Sequence, residues 1–364
     1  MDGRTLSKLI ESRNLPHQQF DSLCYAPFTN LFLDNKGDAR VCCWNWTRPV
    51  GNILVNTMDE IWRGDEIKRL RETLASFKLA DGCGICEFQT SDGAIGGLKL
   101  RNFDRFVAES AEPLWPRQIE FSISNTCNLQ CVMCDGSYSS AIRAHRERRP
   151  PLARLYTETF IRSMQPYLDH LDQAKFLGGE PFLVTEHFQI WDMMIEGDRA
   201  PVCHVTTNGS QCSKTVLRYL ERLRFAFAIS LDAATRDTYE AIRVGASWDE
   251  VLSNCRRFRE YTRELGTSFA FTFCLMRNNW RELGALCLMA DEWGANVGIN
   301  TVRRPPHLGI YSLPLPELRD ILDGLESQAT ALDRQLTRNK TVWFSEVDRI
   351  RARVRTMEKS AQRG

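Results

Sequence analysis

From residue 118 onward, short apolar runs alternate with longer stretches in which apolar positions recur every three or four residues. The short runs predict strands at 118–124, 174–178, 201–206, 225–231, 268–275 and 296–302. The longer stretches, among them Glu186–Ile195, Lys214–Leu223, Asp249–Leu265 and Asn279–Trp293, predict amphipathic helices. Strands that alternate with helices pair in parallel through right-handed crossovers. The expected fold class is α/β, with six units curled into a partial (β/α)6, TIM-like barrel over residues 118–304. Its first strand holds Ile119-Glu120-Phe121-Ser122-Ile123, a period-two alternation that predicts one buried face.

The first hundred residues pattern differently. A polar, helix-like extension (1–20) leads into Tyr25–Leu33, a turn at Asp34–Asp38 with Gly37 available for positive φ, and a return at Ala39–Cys42. That sequence predicts a two-stranded hairpin. Asp59–Leu74 has the spacing of one amphipathic helix. Residues 21–90 are expected to form a small α+β unit, 91–117 a linker, and 305–364 a helical extension containing a helix at Pro314–Leu325. In the linker, the glycines of Ser91–Gly97 read as a flexible turn, because no strand precedes them and no Gly-Lys-Ser/Thr follows. A helix near Leu98–Val107 should then end at Pro113 and Pro116.

Charge and composition narrow the partners. With 47 Lys plus Arg against 46 Asp plus Glu, the net charge of +1 argues against nucleic acid or an anionic membrane as a main partner. Arg349, Arg351, Arg353 and Arg355 stand at every second position, so they cannot share one helical face and read as solvated. No apolar signal core opens the chain, and runs such as Phe225–Ile229 are too short to span a bilayer. Thirteen cysteines without a secretion signal point to metal ligands in a reducing, cytoplasmic setting.

Seven of those cysteines fall into two groups. Cys127, Cys131 and Cys134 have the spacing Cys-x3-Cys-x2-Cys directly after the first core strand. Three thiolates on one loop can hold three corners of a four-iron cluster and leave one iron open. A zinc knuckle would need a fourth ligand, and His145 is the nearest candidate. Cys24, Cys42, Cys83 and Cys86 read as four ligands of a second site, which could be iron–sulfur or zinc. Adjacent strand residues face opposite ways, so Cys42 and Cys43 cannot both serve. Cys203, Cys212, Cys255, Cys274 and Cys287 are scattered singly, as buried small hydrophobes are.

The three-cysteine loop resembles the signature of the radical S-adenosylmethionine (SAM) superfamily, although Met133 replaces the aromatic residue usual before the third cysteine. The resemblance implies a SAM-binding [4Fe-4S] cluster whose reduction cleaves SAM to methionine and a 5′-deoxyadenosyl radical. It also implies that Gly178-Gly179-Glu180-Pro181 binds the SAM amino group. By the same resemblance, Asn208 lies in a Thr-Asn-Gly cofactor segment, and Ser230 and Arg243 take the SAM carboxylate. The span from Cys24 to Cys86 resembles the Twitch domain, the short form of the SPASM domain, which carries an auxiliary [4Fe-4S] cluster. Its Gly37-x4-Cys42 spacing favours Cys42, with Cys43 as the fallback; its position before the core departs from the family's usual order.

The function so implied is hydrogen-atom abstraction from a small, sugar-like metabolite, fed by a reductant such as flavodoxin or ferredoxin. The outcome would be dehydrogenation, or epimerisation with Cys274 or Cys203 as thiol donor. The alternatives are a peptide-modifying SPASM maturase and, in another class, a non-catalytic zinc scaffold.

Overall fold

A computed structural model describes residues 3–13, 15, 18–91, 98–197 and 200–362. The turn expected at Ser91–Gly97 lies almost wholly outside the described residues. The chain forms two compact units. One comprises Met1–Asn125, Leu152–His204 and Tyr219–Arg224; the other comprises Thr126–Pro151, Val205–Arg218 and Phe225–Gly364.

In the first unit the strands are β1 (Asn30–Asp34), β2 (Asp38–Arg40), β3 (Gly51–Asn52), β4 (Gln118–Ser122) and β5 (Gln173–Phe176). β1, β2 and β3 form an antiparallel meander. Asp34 shapes the turn after β1, its Oδ1 accepting the backbone N–H groups of Lys36 (2.8 Å) and Asp38 (3.0 Å) while Gly37 takes φ +82°. The expected long strand from Tyr25 is shorter than its apolar run. Ala26–Thr29 makes a helical turn, with Pro27 at a position where a missing N–H costs nothing. The helix expected over Asp59–Leu74 is two helices, Met58–Arg63 and Asp65–Ala75. Gly64 separates them with an extended backbone; a Cβ there would stand 2.2 Å from the Glu60 carbonyl oxygen.

β1 also pairs in parallel with β4, from Asn30–Gln118 to Asp34–Ser122, and β4 pairs in parallel with β5. The cysteine-bearing segment and the start of the βα region therefore share one compact unit. All five β4 residues are buried, Glu120 and Ser122 included, which corrects the expectation of a single buried face. The helix Thr185–Glu196 buries His187, Ile190, Trp191 and Met194, and Trp191 meets Phe176 of β5 at 5.1 Å between ring centroids.

β6 (Val202–Thr207) runs from the first unit into the second, which holds β7 (Phe225–Ser230), β8 (Phe269–Leu275) and β9 (Asn296–Thr301). β7, β8 and β9 pair in parallel, so each predicted core strand is present to within two residues at either end. The helix Trp248–Leu265 starts at a Ser247 cap, ends at Gly266 in the left-handed conformation, and stacks Phe258 on Phe227 of β7 at 4.3 Å. β8 alternates strictly: Phe269, Phe271, Phe273 and Leu275 are buried, whereas Ala270, Thr272 and Cys274 are half-buried on the other face. The final helix, Lys340–Ala361, buries Trp343, Val347, Ile350 and Val354. Arg349 there pairs with the buried Glu346, and Arg351 with Glu326. No described helix is long and apolar enough to cross a membrane.

Candidate iron–sulfur and cofactor sites

Cys24, Cys42, Cys83 and Cys86 line one cavity in the first unit. Each is placed by a different local feature. Cys24 precedes the Ala26 helical turn, whose first N–H lies 3.5 Å from its Sγ. Cys42 follows β2, while Cys83 and Cys86 stand at the start of the helix Gly84–Ser91. The walls are apolar, with Leu74, Leu100 and Phe103 among them. Burial pushes the Cys24 and Cys42 thiols up, and Cys86 to about 11, so these thiols stay protonated until a metal takes the proton's place. Cys43 is not on this cavity; its electrostatic neighbours are Glu120 and Lys175.

One buried donor on the cavity has no acceptor among the described residues. Asn45 is 1% exposed and lines the cavity, and its Nδ2 finds no hydrogen-bond partner among the described residues. Leaving such a group unpaired costs about 1–3 kcal/mol. Four thiols and an orphaned amide N–H around an apolar hollow fit an iron–sulfur cluster, whose sulfurs accept hydrogen bonds. As placed, no three Cys, His, Asp or Glu side chains among the described residues converge on a single ion.

The three-cysteine loop belongs to the second unit and is stitched down at several points. Ser140 Oγ accepts the Cys127 N–H (3.0 Å), and Ser139 Oγ donates to the Leu129 carbonyl (2.6 Å). The N–H groups of Gln130 and Val132 donate to the carbonyls of Val244 and Ile242, both at 2.9 Å. Cys131 is buried, and Cys127 and Cys134 are half-buried. Burial, with Cys131 and Cys127 nearby, pushes the Cys134 thiol up to about 12. Met133 packs toward Ile242, Met276 and Val302. His145, the possible fourth zinc ligand, is exposed.

Two of the expected cofactor residues touch this loop. Asn208 Nδ2 donates to Asn128 Oδ1 (3.0 Å) and lies 3.9 Å from Cys127 Sγ. Arg243 places Nη1 3.7 Å from Cys131 Sγ and Nη2 2.6 Å from Asp232 Oδ2, the latter an ion pair without an aligned hydrogen bond. Ser230 meets the Thr272 hydroxyl at 3.3 Å. Arg243→Ala would strand the fully buried Asp232 carboxylate, and breaking such a pair costs about 3–5 kcal/mol. The expected result is a lower Tm in thermal unfolding, with Arg243→Lys less affected.

In the first unit, Gly178 and Gly179 follow β5 with φ of +79° and +56°. A Cβ on Gly178 would stand 2.5 Å from Ser122 Oγ of β4, so only glycine lets this turn lie against the strand. Glu180 is fully buried and accepts the Phe182 N–H at 3.2 Å. The Pro181 carbonyl receives His187 Nδ1 at 3.3 Å, and burial lowers the His187 pKa to about 3, which keeps the ring neutral. Gly178→Ala should destabilise the chain by about 1–3 kcal/mol, the usual cost of a strained backbone residue, as read by chemical denaturation.

Residues 121–288 match the radical SAM superfamily, and residues 24–87 match SPASM, an iron–sulfur cluster-binding domain. The chain is a radical SAM protein with a SPASM-type domain. These matches carry its cofactors with them: SAM and [4Fe-4S] clusters. Among solved structures it resembles AdoMet-bound anSMEcpe, with 16% identity over 60% of this chain and 63% of the other, at a TM-score of 0.41. It also resembles SuiB of Streptococcus suis bound to S-adenosylmethionine (16% identity, 62% and 47% coverage, TM-score 0.40). A third is a radical SAM methyltransferase of Sphaerobacter thermophilus (17% identity, 57% and 62% coverage, TM-score 0.35). The chain thus spans less than two thirds of each of these proteins. No curated protein matches it.

Further polar residues complete the networks around these positions. Asp232 ties Arg243 to β8 by accepting the Cys274 N–H at 2.7 Å, and Asn279 Nδ2 holds the Asp232 carbonyl at 2.9 Å. In the first unit, buried Glu120 accepts from Lys175 Nζ (2.9 Å) and Asn30 Nδ2 (3.0 Å). A charged residue alternating with apolar ones signals a wet strand face, which is why Glu120 escaped notice. Asn45 lies three residues after Cys42, and nothing in its neighbourhood distinguishes it from an ordinary loop asparagine.

Proposed function

We propose that this radical SAM enzyme oxidises a peptide side chain at a C–H bond, with the four-cysteine site taking up the electron. The observation that carries the oxidative half is the shared cavity of Cys24, Cys42, Cys83 and Cys86. Four thiolates would saturate a cluster there and leave no iron for substrate, which suits electron transfer. SAM and the cluster on the three-cysteine loop, when bound, supply the means of removing a hydrogen atom.

The chain's own residues would bind and orient. Cys127, Cys131 and Cys134 would hold the first cluster through three irons. Glu180 is the acceptor proposed for the SAM ammonium, and the glycines before it allow close backbone approach. Asn208, Ser230 and Arg243 are proposed for the remaining polar groups of SAM, with Asp232 orienting Arg243. In the net reaction the substrate loses two hydrogens, one as an atom and one as a proton whose electron goes to the four-cysteine site.

A peptide replaces the sugar-like metabolite expected from the sequence. What supports it is an open groove of about 680 Å³ in the first unit, lined by Leu54, Val55, Trp115, Phe160 and Tyr167 among others. Leu54 and Val55 are 61% and 78% exposed there, and such a surface suits an extended apolar chain better than a sugar ring. SuiB bound to precursor peptide SuiA and anSMEcpe bound to Kp18Cys peptide are among the structures similar in fold. Epimerisation is the second reading. Cys274 is half-buried with Asp232, Arg243 and Cys131 as electrostatic neighbours, whereas Cys203 is fully buried against Met194 and is set aside as a donor.

The test is turnover with chemical reductant, SAM, and peptide or aminosugar substrates in D2O. A peptide product lighter by two hydrogens supports the proposal. A product of unchanged hydrogen count with solvent deuterium at carbon would establish epimerisation instead.

A further inference from the structure

We propose that Asn45 donates a hydrogen bond to a sulfur of the auxiliary cluster and so raises its reduction potential, making the four-cysteine site a better electron acceptor. The inference rests on the reading of Cys24, Cys42, Cys83 and Cys86 as the cluster ligands.

The Asn45 amide is held in one orientation. Its backbone N–H bonds the Cys42 carbonyl at 3.2 Å, which ties it to a ligand residue. Its Oδ1 accepts the Arg48 backbone N–H at 3.2 Å. Flipping the amide would set Nδ2 against that N–H, donor facing donor, so the assignment of oxygen and nitrogen follows from the bond. Gly82, at φ +90°, closes the other side; a Cβ there would stand 2.1 Å from Oδ1. Nδ2 is left with no acceptor among the described residues, and the cavity lined by the four thiols is where one can sit.

The effect on the electron follows from charge. Reduction adds negative charge to the cluster and its sulfurs, and an N–H pointed at sulfur stabilises the more negative state. In an apolar cavity that stabilisation is poorly screened. Lys99 acts in the same direction: it lines the cavity with its Nζ 5.3 Å from the Trp44 ring centroid, and its charge favours thiolate at Cys86. An amide donor and a cation on one cavity are what an electron acceptor needs, and neither is required of a merely structural cluster.

The experiment uses the full-length chain with Cys127, Cys131 and Cys134 replaced by Ala, reconstituted anaerobically so that only the auxiliary cluster is present. A redox titration followed by electron paramagnetic resonance should give Asn45→Leu a more negative midpoint potential than its parent at equal iron content. With 15N-asparagine labelling, the reduced parent should show a 15N hyperfine coupling, because Asn45 is the one asparagine on the cavity lining among the described residues. Equal potentials at equal iron content, or no coupling in the parent, would overturn the inference. Should Asn45→Leu lose its iron, the coupling in the parent decides alone. A parent that binds no iron removes the ligand reading itself, and this inference with it.

Discussion

Replacing Cys127, Cys131 and Cys134 together with Ala will abolish the release of 5′-deoxyadenosine from SAM under reducing conditions. The loop supplies three thiols, so the substitutions remove every protein ligand proposed for the first cluster. Iron in the reconstituted chain should fall from about eight to about four per molecule, the remainder held at the four-cysteine site. Structure should survive better than activity. The loop is anchored by Ser139, Ser140 and backbone bonds to Ile242 and Val244, none of which involves a thiol. Circular dichroism should therefore stay close to wild type. Wild-type release of 5′-deoxyadenosine from the triple variant would end the assignment of this loop.

The second large effect is expected from Cys83→Ala with Cys86→Ala. Both thiols stand at one helix start, so their loss removes half of the proposed auxiliary ligands at once. Iron should again drop by about half, but 5′-deoxyadenosine should still form, because the three-cysteine loop is untouched. If the electron goes to the auxiliary cluster, the oxidised product should disappear while SAM cleavage continues. Metal binding is also folding energy, so limited proteolysis must show that the domain remains folded. Product formed at the wild-type rate by a folded double variant would exclude the electron-acceptor role and leave a redox-neutral reaction such as epimerisation.

The elements legible in the sequence were those whose periodicity was long and uninterrupted. β8 could be read because Phe269, Phe271, Phe273 and Leu275 alternate with smaller residues, and Trp248–Leu265 because its cap, apolar stripe and terminal Gly266 agree. The single helix expected over Asp59–Leu74 was not: on one continuous helix of about 3.6 residues per turn, Met58, Ile61 and Trp62 would face nearly opposite to Ile67, Leu70 and Leu74, and the break at Gly64 lets both stripes be buried. Glycine in a helix interior costs only about 1 kcal/mol, so the residue type alone does not mark a break there; the shift of the apolar stripe across it does.

The chemistry divides along the same line. Thiol spacing, the Gly178-Gly179-Glu180-Pro181 turn and the order of strands are local properties, and they sufficed to place this chain in the radical SAM superfamily with a SPASM-type domain. What only the tertiary structure decided are contacts between segments far apart in sequence. Cys42 meets Cys83 and Cys86 in one cavity while Cys43 is turned toward Glu120 and Lys175. β1 lies along β4 and buries a carboxylate that the alternation had assigned to solvent. Asp232 grips Arg243, and Asn45 Nδ2 is left without a partner among the described residues, beside four thiols. Local spacing selects which backbone conformations are cheap. Burial and electrostatic partnership belong to whichever distant segments the folded chain brings alongside, and no window of sequence contains them.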